Sequence, residues 1–303
     1  MTIYELIIVG GGPAGITAAI YSARKRVNFV LITKDIGGKA AWSANIENYT
    51  GYQFITGSEL AQKFEEHVRA FNITILFEDA KHIEKIPEGF EVQTTRGRYK
   101  SRSVIVATGT EPKKLGVPGE DEFKNRGVTY CATCDAPLFM NKNVAVIGGG
   151  NAGLDATLQL TRIARQIYLI EISSELKGDK IMKEKVIQSD KVAILTNTKV
   201  LEILGNRFVK EIVVEREGKK FTLPVDGVFI EIGQIPNSDI VRHLVELNEK
   251  GEIIVDARCR TNVDGLFAAG DVTNVPQKQI VVAAGEGAKA AISAYEYLQR
   301  LKQ

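Results

Sequence analysis

Two of the chain's three cysteines stand as Cys131-Ala-Thr-Cys134, with Asp135 directly behind them. Two residues between the sulfurs let them meet in a small ring, and a Cys-x-x-Cys context lowers the pKa of one thiol. A carboxyl beside such a pair can hold the proton that moves when a thiolate attacks or leaves. The plainer reading of Asp135 is a solvated turn carboxylate. Two other readings of the cysteines stay open on the residues alone. A zinc half-site needs two further ligands, and Cys259, His67, His82 and His243 lie scattered, with no second half of a metal pattern among them. Two buried structural cysteines are the third reading, since free cysteine is often core.

The elements that must position this pair repeat along the chain. Residues 3–9 form a continuous apolar, β-branched run and predict a buried strand. Gly10-Gly11-Gly12-Pro13-Ala14-Gly15 follows, then a helix over about 13–25 and a strand over about 28–32. Pro13 suits a first helical turn, where its missing N–H is no loss. Residues 143–147 begin the same series, with Gly148-Gly149-Gly150-Asn151-Ala152-Gly153, a helix to about 163 and a strand over 166–170. A lone G-x-G-x-x-G is weak, but strand, glycine turn and helix together are specific. The first glycine makes the turn, the second lets a pyrophosphate approach the backbone, and the third lets helix and strand close up. The diphosphate sits where free N–H groups and the helix dipole favour an anion. Two copies a domain length apart predict two dinucleotide-binding domains, one for a flavin and one for a nicotinamide, because a hydride relay needs a donor and an acceptor.

Other elements fill the intervals. A helix over about 58–71 carries Leu60, Phe64, Val68 and Phe71 on one face. A β-rich stretch over 73–106 ends in Ala107-Thr108-Gly109, hairpin-like strands occupy about 199–230, and Leu266-Phe-Ala-Ala leads to Gly270-Asp271. A carboxylate at that strand end can accept hydrogen bonds from a polyol or cap a helix. A long helix runs over roughly 279–301, and Pro and Gly mark junctions near 112–119 and 233–237.

Composition bounds the function. At 303 residues the prior is two domains. With 39 basic and 37 acidic side chains, net +2 and no dense basic run, a nucleic-acid partner is excluded. Three cysteines cannot build a secreted disulfide framework. No apolar run approaches ~18 residues, and no basic leader precedes the first strand. The expectation is a cytoplasmic protein that neither spans nor binds a membrane.

The order of motifs resembles the low-molecular-weight thioredoxin reductase family, in VGGGPAG (9–15), GGKAAWSANIENYTG (37–51), VIVATGTEP (104–112), CATCDAP (131–137), VIGGGNAGLDA (146–156), DGVFIEIGQIPNS (226–238) and TNVDGLFAAGDV (261–272). The likeness covers nearly the whole chain, and CATCD just before the second fingerprint is its hallmark. It implies an α/β fold of two Rossmann-like domains, a nicotinamide domain over 114–240 inserted into an FAD domain made of 1–113 and 241–303. Gly10, Gly12, Pro13, Ala14 and Gly15 would cradle the FAD diphosphate. Gly38, Lys39 and Asn48 would lie along the flavin, as would Lys278, Gln279 and Ile280, while Ala107, Thr108, Gly109, Gly270 and Asp271 would contact the cofactor. Gly148, Gly150, Asn151, Ala152, Gly153, Glu171 and Gly233 would serve the nicotinamide dinucleotide. Cys134 would face the flavin, Cys131 would attack the disulfide of a thioredoxin- or glutaredoxin-like protein, and Asp135 would be the acid/base. The family is homodimeric, and its nicotinamide domain swivels about junctions such as those near 112–119 and 233–237.

Three departures bear on that implication. The family's usual His-Arg-Arg run for the NADPH 2′-phosphate is replaced by Glu171-Ile172-Ser173-Ser174-Glu175-Leu176-Lys177. Glu171 lies 18 residues past Gly153 (171 − 153), where an acid accepts from a free ribose 2′-hydroxyl and repels a phosphate, so NADH is expected over NADPH. As a mere structural residue it would be an exposed Glu at a strand end. The same stretch resembles the reductase part of the alkyl hydroperoxide reductase flavoprotein, which prefers NADH. That protein carries extra N-terminal thioredoxin-like domains, and this chain starts at its first fingerprint, so electrons are expected to pass to a separate partner. Lys39 stands where the family has Gln, and Asp35 comes two positions late for an adenosine-ribose acid. Rival functions are an NADH oxidase, a ferredoxin-linked flavoprotein, or a non-catalytic redox-sensing module.

Overall fold

A computed structural model describes residues 3–43 and 46–303. Ala44 and Asn45, inside the 37–51 motif, lie outside the described residues. The chain divides into two compact units, Met1–Glu111 with Ile235–Gln303, and Pro112–Gln234.

In the first unit, β1 (Ile3–Val9), α1 (Pro13–Arg24) and β2 (Phe29–Thr33) are followed by a 3₁₀ turn, Gly38–Trp42, and α2 (Gly57–Ala70). A capping box fixes the start of α2: Thr56 Oγ1 accepts from Glu59 N–H, and Glu59 accepts from Thr56 N–H. Strands β3 (Ile75–Phe77), β4 (Ala80–Ile86), β5 (Gly89–Thr94) and β6 (Arg98–Val106) follow, and β7 (Thr110–Pro112) leads into the second unit. There the chain forms β8 (Val128–Thr129), α3 (Ala132–Asp135), β9 (Asn143–Ile147), α4 (Asn151–Leu160), β10 (Gln166–Ile170), α5 (Lys180–Ile187), β11 (Val192–Leu195), the antiparallel β12 (Thr198–Gly205), β13 (Val209–Arg216) and β14 (Lys219–Pro224), and β15 (Gly227–Ile230). It returns through β16 (Gln234–Pro236) to finish the first unit with β17 (Leu266–Ala268) and α6 (Ile280–Arg300).

The first unit's sheet runs β3-β2-β1-β6-β5-β4, with β17 also on β6. Pairings among β3, β2, β1, β6 and β17 are parallel. The second unit's main sheet, β11-β10-β9-β15-β8, is parallel throughout. A parallel strand covered on both faces must be apolar on both, which explains the unbroken runs in the sequence. In β1, Leu6 and Ile8 enter one core with α1 and α6, while Ile7 and Val9 enter another. In β9, Val144 and Val146 face one core, and Ala145 and Ile147 the other.

The crossings differ from the expected 113/114 and 240/241. The return falls six residues earlier because residues after Pro236 are tied into the first unit. Asn237 N donates to Gly109 O at 3.0 Å, Asn237 Nδ2 to Thr108 O at 2.9 Å, and Ser238 Oγ to Gly251 O at 2.6 Å. The helix after Gly150 also stops at Leu160, short of 163.

The turn of each fingerprint is set by contact between backbones. A Cβ on Gly15 would lie 1.8 Å from Gly10 O, and one on Gly153 would lie 1.8 Å from Gly148 O. A Cβ on Gly12 would meet nothing within 4 Å. Gly15→Ala is therefore expected to cost about 3 kcal/mol of stability, the upper part of the overpacking range. Gly12→Ala should cost at most about 1 kcal/mol, as a weaker N-cap. Urea midpoints of the two variants would check this, and equal midpoints would contradict it.

Candidate active site

Cys131 and Cys134 are joined in a disulfide, with their Cα atoms 5.3 Å apart. The pair spans the short α3, whose N-cap is Cys131. Cys131 N donates to Thr129 Oγ1 at 3.2 Å, and Asp135 N closes the turn on Cys131 O at 3.1 Å. Asp135 points inward: its Oδ2 accepts from the Thr129 hydroxyl, and its Oδ1 is buried with no hydrogen-bond partner among the described residues. Burial pushes the Asp135 carboxyl up from the ordinary aspartate range, and the Thr129 hydrogen bond only partly opposes it.

Two carboxylates at this site were not among the expected site residues, although Glu231 lies within the 226–238 stretch. Glu231, directly after β15, accepts from Ala132 N–H through Oε1 at 3.2 Å. Burial raises its carboxyl to about 7, with Asp155 adding to the rise and the Ala132 N–H opposing it. Glu120, buried, accepts from Leu115 N at 2.9 Å, Gly116 N at 2.6 Å and the Tyr130 hydroxyl at 2.8 Å, which anchors the chain just before Cys131. Burial and then Glu120 push the Tyr130 hydroxyl up. The signal available for Glu231 was a lone acid closing the apolar run Gly227–Ile230, at the strand end where open α/β sheets bind ligands.

The second fingerprint lies in the same unit. Gly148 has φ +118°, and Gly150 is the N-cap of α4 with no side chain capping the first turn. Such a turn presents free N–H groups to an anion, and a Cβ on Gly150 would meet nothing within 4 Å, so the cradle fits a diphosphate. Asn151 and Ala152 open the helix, and Asn151 Oδ1 accepts from Asp179 N at 2.7 Å. Glu171 is not the exposed strand-end residue of the plainer reading, because it is 8% exposed. Its Oε2 accepts from Gly149 N at 2.6 Å and its Oε1 from Ser173 N at 2.8 Å. Burial pushes its carboxyl up, but the Ser173 and Gly149 N–H groups outweigh it and hold it below the usual range. Gly233 has φ +107°, and its carbonyl accepts from Lys113 N at 2.9 Å.

In the first unit the expected residues gather past the strand ends. Gly12 is the uncapped N-cap of α1, with Pro13, Ala14 and Gly15 in the first turn. This cradle fits a diphosphate for the same reason. Gly38 N donates to Asp35 Oδ1 at 3.2 Å. Lys39 Nζ lies 2.9 Å from Asp271 Oδ2 and donates to Thr110 Oγ1 at 2.6 Å, so the unusual Lys has a built-in carboxylate. Asn48 Nδ2 donates to Gln279 Oε1 at 3.2 Å, and Gln279 is the N-cap of α6, which begins at Ile280. Lys278 Nζ donates to Asp271 O at 3.0 Å and pairs with Glu252 at 2.9 Å. Ala107 is buried, and Thr108 Oγ1 donates to Asn237 O at 2.7 Å beside Gly109. Glu286, unmarked in the sequence, is buried in α6 and accepts from Gly270 N at 3.2 Å and Thr273 Oγ1 at 3.3 Å, which holds the Gly270-Asp271 turn.

Two histidines are not scattered. His82 and His243 stack in the first unit with ring centroids 4.4 Å apart, and their Nε2 atoms lie 2.9 and 3.4 Å from Glu84 Oε2. They belong to the unit that lacks the cysteine pair. Cys259 is buried, its thiol pushed up to about 12, first by burial and then by Glu286.

Glu231 gives a pH-dependent prediction. A carboxyl raised in the folded state to about 7 from 4.5 binds more protons folded than unfolded across that window. Its contribution is therefore fully present below about pH 4.5 and is lost as pH rises through about 7. Glu231→Gln removes the loss. The variant should gain on the wild type by up to ~3 kcal/mol between about pH 4.5 and about pH 7. Parallel curves of unfolding free energy against pH would contradict it.

Known proteins resemble this chain over nearly its whole length. Residues 4–287 match the family model described as pyridine nucleotide-disulphide oxidoreductase. An alkyl hydroperoxide reductase component of Staphylococcus aureus (strain MRSA252) is 42% identical over 301 residues, 98% of this chain and 59% of the relative. The Escherichia coli (strain K12) protein of the same name is 41% identical over 309 residues, 99% of this chain and 59% of the relative. The chain thus spans less than two thirds of the length of these relatives. The crystal structure of thioredoxin reductase from Streptococcus pyogenes MGAS5005 superposes with a TM-score of 0.92 at 35% identity, covering 98% of this chain and 99% of that one. With two glycine cradles, a CxxC disulfide and this match over nearly its whole length, the chain belongs to the pyridine nucleotide-disulphide oxidoreductase family and has the α/β fold of a thioredoxin reductase.

Proposed function

We propose that the chain is a thioredoxin reductase-like disulfide reductase that takes electrons from NADH through FAD to the Cys131–Cys134 disulfide, and from there to a thioredoxin- or glutaredoxin-like protein. The observation that carries this is the CxxC disulfide on a one-turn helix, with a carboxyl at its end whose Oδ1 is buried and which burial pushes up from the ordinary aspartate range. A structural pair would have no use for a carboxyl kept dry beside it.

In this reading Gly10, Gly12, Pro13, Ala14 and Gly15 hold the FAD diphosphate, and Lys39, Asn48, Asp271, Lys278 and Gln279 line its flavin and ribityl part. Gly148, Gly150 and Gly153 hold the nicotinamide dinucleotide's diphosphate. When bound, these cofactors supply hydride transfer and the stepping of electrons to a disulfide. The protein's own residues do the rest. Cys134 would be the sulfur presented to the flavin, which when bound would supply the electrons. Cys131, as a thiolate, attacks the partner disulfide, and Asp135, raised by burial, holds the proton exchanged with the sulfurs.

NADH is favoured because of Glu171. It is ionised, buried and bonded to the fingerprint loop itself, so a 2′-phosphate brought to that loop would meet a fixed negative charge.

Anaerobic titration of the purified protein tests the reading. NADH should bleach the visible flavin band, with NADPH much less effective; bleaching by neither would overturn it. Cys131→Ser should keep that bleaching and lose reduction of a thioredoxin-like disulfide. Glu171→Arg should raise the KM for NADH about tenfold or more, the scale of one strong charge-assisted contact. An unchanged KM would remove Glu171 from the cofactor site.

A further inference from the structure

Glu231 touches the redox turn from far along the chain, and the mechanism above does not use it. Its backbone has no freedom. Glu231 N donates to Ile147 O at 2.8 Å, and its carbonyl oxygen lies 2.5 Å from where a Cβ on Gly148 would sit. The side chain projects onto α3, where Oε1 takes the N–H of Ala132, the residue next to Cys131. Backbone N–H groups just after a cysteine are among the donors that lower thiol pKa values. Here the first of them in sequence, that of Ala132, is already held by a carboxyl. A Cys131 thiolate and a Glu231 carboxylate would be two anions drawing on one donor.

We propose that Glu231 is a positioning residue of the dithiol whose charge, acting at the Ala132 N–H, sets how readily Cys131 ionises. This rests on the disulfide-reductase reading of the pair. Reduction breaks the Sγ–Sγ bond, and the two electrons supplied by the reduced flavin enter, one formally on each sulfur. Each sulfur then binds a proton or stays a thiolate. Cys131 must be a thiolate to form a bond to one sulfur of the partner disulfide and expel the other.

Protonated Glu231 leaves that thiolate unopposed. Ionised Glu231 opposes it, so the Cys131 thiolate fraction rises less steeply with pH than that of a lone thiol. One group facing Glu231 acts in the same sense. Asp155 of α4 adds negative charge, its own carboxylate accepting from Gln159 at 2.6 Å. Asp135 ends α3, held by Thr129. The neutral range is where Glu231 exchanges its proton, since its carboxyl is raised to about 7.

The test uses the full-length holoprotein, reduced with dithiothreitol, freed of it anaerobically and alkylated with iodoacetamide. Mass spectrometry reads Cys131 and Cys134 separately. Buried Cys259 serves as the unreactive control. Wild type is compared with Glu231→Gln, which keeps an acceptor for Ala132 N–H, and Glu231→Ala, which does not. Both should alkylate Cys131 about tenfold faster than wild type near pH 8, equivalent to one pKa unit, with the gap closing towards about pH 6. A purely structural role predicts otherwise: Gln would match wild type and only Ala would differ, with no change in the pH profile. That result, or three coincident profiles, would overturn the proposal, and either variant suffices should the other not fold. The readout uses neither nicotinamide nor a protein substrate. Failure to reduce a thioredoxin-like protein would therefore count against the function alone, and coincident profiles against Glu231 alone.

Discussion

The closest constraint in the molecule is backbone against backbone. At both fingerprints a helix starts so near its strand that a single methyl group on Gly15 or Gly153 would overlap the carbonyl of Gly10 or Gly148. That approach brings the start of each helix to the end of its strand and leaves the first N–H groups without a side-chain cap. A capped helix would have satisfied those donors internally. An uncapped one keeps them for an anion, and this is the physical content of a dinucleotide fold. The flanking strands follow from it, because a parallel strand between two helical layers must be apolar on both faces.

The other candidate residues occupy the corresponding edge of each unit's own sheet. Glu171 follows β10, Glu231 follows β15, Ala107-Thr108-Gly109 follows β6, and Gly270-Asp271 lies just past β17. Parallel strands ending together gather these positions without any sequence adjacency. The side chains there are mostly spent on backbone donors: Glu171 on Gly149 and Ser173, Glu286 on Gly270, Glu231 on Ala132, Glu120 on Leu115 and Gly116. Each of these four loops thus has a carboxylate beneath it. A buried carboxylate is costly unless its lone pairs are filled, so the arrangement selects one loop conformation. Glu171 is well filled and stays ionised, whereas Glu231 has one N–H and an acidic neighbour and retains its proton into the neutral range.

What could be read in the sequence was whatever sits in short-range pattern. Both glycine turns, the strands and helices beside them, the CxxC pair and Asp135 were legible because their spacing is itself the chemistry. Glu231 and Glu286 were not. One closes an apolar run and the other stands in the small-residue stretch Ala283–Ala291 of a helix, and neither spacing shows that pairing brings Glu231 onto Ala132 N–H or that packing buries Glu286. His82 and His243 show the same limit, since nothing local announces that β4 and a distant loop stack two imidazoles on Glu84. The return to the first unit at 234/235 falls inside the junction that Gly and Pro mark near 233–237, and the hydrogen bonds of Asn237 to Thr108 and Gly109 bind the segment that follows to the first unit.

The two units also explain why Asp35 arrives late. Register sets Ile32 beside Val9 and Ile170 beside Ile147, so Thr33 is the counterpart of Glu171. Each lies against the middle glycine of its fingerprint. A Cβ on Gly11 would fall 2.5 Å from Thr33 Oγ1, and one on Gly149 would fall 2.9 Å from Glu171 Oε2. Thr33 donates its hydroxyl to Asp35 O, and the Asp35 carboxylate turns away to Gly38 N. One cradle is therefore bordered by a neutral hydroxyl and the other by a fixed carboxylate. With the same backbone geometry in both, charge at this one position is what distinguishes the two cradles, and it is the basis on which we propose that the second disfavours a ligand bearing an extra phosphate on its ribose.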